Sequence, residues 1–144
     1  MSSMVKVTFH KQMSDENRAE IEKYLFPYLW LVPAWCHELF VDLHRYEDDS
    51  AISTAIQYDY RTASMSFNAG WLLERPEHKQ EMVIHDLLHI STSVYVDYAH
   101  GTFKRLCPED EAKKFNEHIL EESRMRCESM VQDLAHSIMN MPKL

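Results

Sequence analysis

The sequence predicts one α+β domain over residues 1–144, and three observations carry that prediction. A capped, apolar-striped stretch begins at Ser14. Residues 39–69 alternate apolar with polar side chains or are rich in Ile, Thr, Tyr and Phe, and two long apolar-periodic runs follow Pro76 and Pro108. Helical and strand periodicities thus fall in separate blocks, the pattern of an α+β chain. A hydrophobic fraction of 45%, with 11% aromatics, supplies one core at this length. The chain has no internal repeat and no low-complexity linker.

Residues 1–11 alternate apolar and polar side chains and lack the apolar centre of a signal peptide. Ser14 then offers a capping oxygen, and Asp15 and Glu16 face the positive end of a helix macrodipole. Ile21, Leu25 and Tyr28 or Leu29 form the stripe of this first helix, which Pro27 should end or kink. The longest apolar stretch, residues 24–36, is interrupted by Pro27 and Pro33 and falls short of a bilayer span, so it belongs to a core or a contact surface. Leu39, Val41 and Leu43 next alternate with Phe40, Asp42 and His44, as in a half-buried strand. A turn is expected at Glu47, Asp48, Asp49 and Ser50, with two further extended runs at 51–60 and 62–69. A small sheet of about three strands follows. Pro76 suits the first turn of a helix running to about Tyr98. A loop is expected at 99–107, around Gly101, before Pro108 and the acidic Glu109, Asp110 and Glu111 open a last long helix that ends near Met139.

A net charge of -8 argues against a duplex-binding surface, which needs clustered Lys and Arg. An acidic surface instead suits a basic partner. Cys36, Cys107 and Cys127 are odd in number and lack C-x-x-C spacing, so they read as reduced thiols of a cytoplasmic protein rather than as a disulfide framework or a zinc knuckle.

The chemistry concentrates in His85-Asp86-Leu87-Leu88-His89. Histidines four apart on a helix share one face and can chelate one metal ion. Asp86 lies on a neighbouring stripe, within reach of a water bound to that ion. About 0.1 His-acid-x-x-His strings are expected by chance in such a composition, so context has to support the motif. The bland alternative is a pair of surface histidines. Against it, Met82, Val83, Ile84, Leu87, Leu88 and Ile90 make this helix apolar on most sides, and two half-buried imidazoles without a shared partner would be costly.

Val83-Ile84-His85-Asp86-Leu87-Leu88-His89-Ile90 resembles the active-site helix of gluzincin-type zinc metallopeptidases, especially the very small phage-encoded ones, and the resemblance extends from about Leu39 to Ile138. In that group the motif reads His-Glu-x-x-His; Asp86 stands here in the place of the glutamate. The resemblance implies a zincin-like domain made of an N-terminal helix, a small sheet, the motif helix and a C-terminal helix that carries an acidic third ligand. It implies Zn2+ as cofactor and a peptide or protein as substrate or partner. Glu128, followed by Val131 and Leu134 at plus three and plus six, matches the group's acidic position. Glu121, seven residues earlier on nearly the same stripe, is the substitute, and Glu122 lies beside it.

The same resemblance implies peptide hydrolysis, with zinc polarising a carbonyl and the Asp86 carboxylate taking the proton of a water. Asp86 is one methylene shorter than glutamate, and a misplacement of about 1 Å can cost on the order of 10²-fold in rate. The alternative is therefore a zincin-fold protein that acts through a protein interface. A third reading is a helical protein with no metal, in which the histidine pair is incidental. The strand at 63–68, just before the motif helix, is where zincins pair an extended peptide. Tyr98 and His100, in the expected loop, are candidates for the open side of the metal. His37, His44, His78, His118 and His136 read as surface or structural residues.

Overall fold

The computed structural model describes residues 4–44, 51–106 and 109–142, without side chains at 100, 103–104, 109–116 and 119–120. The turn expected at 47–50 lies outside the described residues. The element order is β1 (Lys6–Phe9), α1 (Asp15–Leu25), β2 (Glu38–His44), β3 (Ile52–Gln57), β4 (Thr62–Asn68), α2 (Pro76–Leu106) and α3 (Glu109–Met139). The α+β class holds, with the strands in one sheet ordered β1-β2-β4-β3. β1, β2 and β4 run parallel, and β3 lies antiparallel to β4 at the edge.

Local chemistry explains the first helix. The Ser14 hydroxyl accepts the Asn17 amide proton at 3.2 Å, which satisfies one of the free donors of the opening turn. α1 stops at Leu25, because Pro27 has no amide proton to give, and the chain tightens into a 3-10 turn over Phe26–Leu31. Lys79, only 7% exposed, ties α1 to α2: its ammonium meets Glu20 at 2.8 Å and lies 5.2 Å from the Trp71 ring.

Alternation decides which side of the sheet is covered. Leu39 and Val41 of β2, Ala63, Met65 and Phe67 of β4, and Ile52 of β3 are buried together with Ile21 and Leu25 of α1 and Val83, Leu87 and Ile90 of α2. The opposite face carries Phe40, Asp42, Ser64 and Ser66 and lies open to partly open, as one face of a two-layer sheet can. α2 is thus packed on the sheet along one stripe, and along another, Ile84 and Leu88, it receives Val131 and Ala135 of α3. Each fully buried aliphatic side chain in these stripes contributes on the order of 1.5–3 kcal/mol.

Three expectations need correction. The sheet has four strands rather than three: residues 6–9 pair with β2, and the alternation of Val5, Val7 and Phe9 is their strand signal. The loop expected over 99–107 is helical as far as Leu106. A single Gly101 costs a helix only about 1 kcal/mol relative to Ala, too little to end it. β4 is not an edge: both its sides are paired, because β3 and β4 form an antiparallel pair with β3 outermost. Its connection runs through a 3-10 turn at Tyr58–Tyr60 and the left-handed Arg61, with φ 54°. α2 has 31 residues and is about 46 Å long, roughly twice the length of the seven-residue strands beneath it.

Candidate metal centre

His85 and His89 lie one turn apart on α2, and the antiparallel α3 brings Glu128 across from both. The His85 Nε2 lies 3.0 Å from the His89 Nε2 and 3.1 Å from Glu128 Oε2, while Glu128 Oε1 is 3.0 Å from the His89 Nε2. Donors around a tetrahedral zinc, with bonds near 2.0–2.1 Å, stand about 3.3 Å apart, so this triad is already close to ligand geometry. These three are the one such group among the described residues. The imidazoles are about four-fifths buried, and Glu128 is 56% exposed, so the centre has a largely covered floor and an open side.

Burial favours the uncharged imidazole and lowers the pKa of His89, against the pull of the Glu128 carboxylate, which keeps the ring in the form that binds metals. On His85 the other nitrogen is also engaged: Nδ1 is 3.0 Å from Gln132 Oε1, and the Gln132 amide donates to Glu81 Oε1 at 2.5 Å.

Asp86 stands beside the triad without joining it. Its Oδ1 accepts the Thr54 hydroxyl proton at 2.9 Å, which ties the motif helix to the edge strand β3. Burial pushes its carboxyl up to about 6, although the Thr54 bond and the nearby His85 pull it down; the Glu128 charge adds to the rise.

The centre opens into two adjoining clefts of about 510 and 440 Å³. The first runs between β3 and α2 past Thr54, Asp86 and His85. The second continues along α2 and α3 past His89, Ser93, Asp97, Arg124 and Cys127. Asp97, in its lining, accepts the Tyr58 hydroxyl proton at 2.6 Å. A groove of similar size at the β1–β2 end, lined by Phe9 and Phe40, has no comparable donor cluster among the described residues.

Of the acidic candidates, Glu128 meets the histidines. Glu121 lies seven residues, about 10 Å, farther along α3, and Glu122 pairs with Arg126 at 2.9 Å. Tyr98 is helical and exposed, nine residues or about 13 Å beyond His89, and so does not reach the centre. The His100 side chain lies outside the described residues. His44 and His78 have acidic neighbours after all, Asp42 at 3.4 Å and Glu74 at 2.8 Å, but as surface pairs. His37, His118 and His136 are exposed.

Sequence reasoning missed Gln132, Glu81 and Thr54. The first two carry a legible signal, since Glu81, His85 and His89 recur every four residues, as do Glu128 and Gln132. Thr54 carries none, because nothing local says which strand residue will face Asp86. No helix among the described residues is long and apolar enough to cross a membrane. No family model, curated protein or solved structure matches the chain.

Proposed function

We propose that the protein is a zincin-like, zinc-dependent hydrolase of peptide bonds, with His85, His89 and Glu128 as the metal ligands and Asp86 as the general base. The observation that carries this reading is the convergence of two imidazole nitrogens and one carboxylate within 3.1 Å of one another, open on the side of a cleft. Two nitrogens and one oxygen, with a fourth position left to solvent or substrate, is a donor set that suits catalytic zinc. A zinc ion held there supplies Lewis acidity to a carbonyl oxygen and makes a water easier to deprotonate.

The chain's own residues supply the rest. β3 carries no outer partner strand among the described residues, so an extended peptide can pair with it through main-chain hydrogen bonds, and Thr54 and Ile56 of this strand border the cleft. Asp86 points one oxygen at Thr54 and leaves Oδ2 to receive a proton. A carboxyl that titrates near 6 releases and accepts protons close to neutral pH. Its reach is the weak point, one methylene short of glutamate.

The Thr54 bond also favours a second reading, a metal-holding protein that acts through an interface. A half-buried carboxylate bonded to the edge strand fixes β3 against α2, and that is a structural task. Metal analysis and two variants separate the readings. The purified protein should hold one zinc, and His85→Ala with His89→Ala should abolish it; unchanged zinc content rules the site out. Asp86→Glu should raise hydrolysis of a broad peptide library if reach alone limits the base. Bound zinc with no hydrolysis by either form would support the interface reading instead.

A further inference from the structure

We infer that Gln132 is a positioning residue, which, anchored by Glu81, holds His85 in the tautomer that leaves Nε2 free for a metal. An ionised carboxylate only accepts hydrogen bonds, so the Gln132 atom 2.5 Å from Glu81 Oε1 has to be the amide nitrogen. The amide oxygen is then the atom 3.0 Å from His85 Nδ1. An amide oxygen only accepts, so Nδ1 carries the proton. In the neutral ring Nε2 is left with its lone pair, the form that a metal shared with Glu128 and His89 requires; without a metal the Glu128 carboxylate, 3.1 Å from Nε2, competes to draw the proton there. The opposite amide orientation would set an oxygen against the carboxylate and an N–H against a ring nitrogen, and would leave the proton on Nε2, where it blocks a metal.

The arrangement follows from sequence spacing. Glu81 and His85 are four apart on α2, Glu128 and Gln132 four apart on α3, and the helices run antiparallel, so Gln132 bridges Glu81 and His85 while Glu128 bridges His85 and His89. Among the described residues His89 has no partner on its Nδ1, so the control acts on one ligand only. The inference deepens the metal-centre reading and rests on it for its purpose, though its first test does not need a metal.

That test is the ¹⁵N NMR signature of the His85 ring at alkaline pH in metal-free Glu128→Ala protein, where no carboxylate faces Nε2, together with zinc titration of protein that keeps Glu128. The Glu128→Ala protein with Gln132 intact should show mainly the Nδ1–H form. Adding Gln132→Leu should remove that preference, and Gln132→Leu alone should lower zinc affinity about 10–100-fold, as for other groups that orient a ligand. Gln132 is exposed, so the variant should keep its thermal midpoint. The double exchange Gln132→Glu with Glu81→Gln preserves an acceptor facing Nδ1 and a donor facing that acceptor, and should restore both readouts. No Nδ1–H preference in the Glu128→Ala protein, or an unchanged tautomer and affinity on Gln132→Leu, overturns the inference. If the wild type binds no zinc but Gln132→Leu still switches the tautomer, the metal reading fails and this one stands.

Discussion

Along one side of the α2–α3 pair, Ile84 and Leu88 meet Val131 and Ala135, all buried. Along the other, Glu81, His85 and His89 meet Gln132 and Glu128. Both seams are built on residues four apart, and both join the same helices. The apolar seam is closed and gains stability from area removed from water. The polar seam gains little of that and holds its side chains by a chain of bonds that ends at a cleft. The same period therefore gives adhesion on one face and a cluster of imidazole and carboxylate groups on the other, and the difference lies in residue type and access to solvent.

The largest effect should come from breaking the apolar seam. Ile84→Ala removes a fully buried side chain and should cost about 2–5 kcal/mol in denaturant unfolding, depending on how far the site collapses. Zinc affinity of the folded fraction should be retained, which would separate the tasks of the two seams.

A second test uses Asp86, between the seams and the sheet. Its folded-state pKa is raised by burial to about 6, so its contribution to stability is fully present below about pH 4 and is lost as the pH rises through 6. Asp86→Asn cannot titrate. Unfolding curves of the two metal-free proteins should diverge by about 3 kcal/mol over that range, with the wild type losing ground at the higher pH. Parallel curves would mean that the carboxyl is more solvated than its surroundings suggest.

The smallest effect should come from Glu128→Gln in metal-free protein. The side chain is more than half exposed, so stability should change by no more than about 0.5 kcal/mol while zinc affinity falls sharply. A large loss of stability without metal would make the polar seam structural after all.

The sequence made the helices and the histidine pair legible because their signals are local. Ser14, Pro76 and the four-residue spacing of His85 and His89 each act within one or two turns. Glu128 was reachable as well, through a resemblance that named its place on the last helix, and the geometry brings it to the pair. The strand order was not legible. Parallel pairing of β2 with β4 passes over β3, and no residue in residues 62–68 announces that both its edges will be taken. Gly101 misled for another reason: its cost of about 1 kcal/mol is too small to stop a helix that the flanking residues continue.

The three tryptophans sit in three environments, and this gives the protein its own optical reporters. Trp71 is fully buried, with its indole N–H donated to the Lys79 carbonyl at 3.3 Å and the Phe67 ring 4.8 Å away, so its emission should be blue and should shift red on unfolding. Trp30 is 65% exposed and open to an aqueous quencher such as iodide. Trp35 lies 5.7 Å from Tyr58, whose hydroxyl is bonded to Asp97 on the cleft rim. Single-tryptophan variants would therefore follow core melting, surface access and cleft occupancy as separate colours of one spectrum.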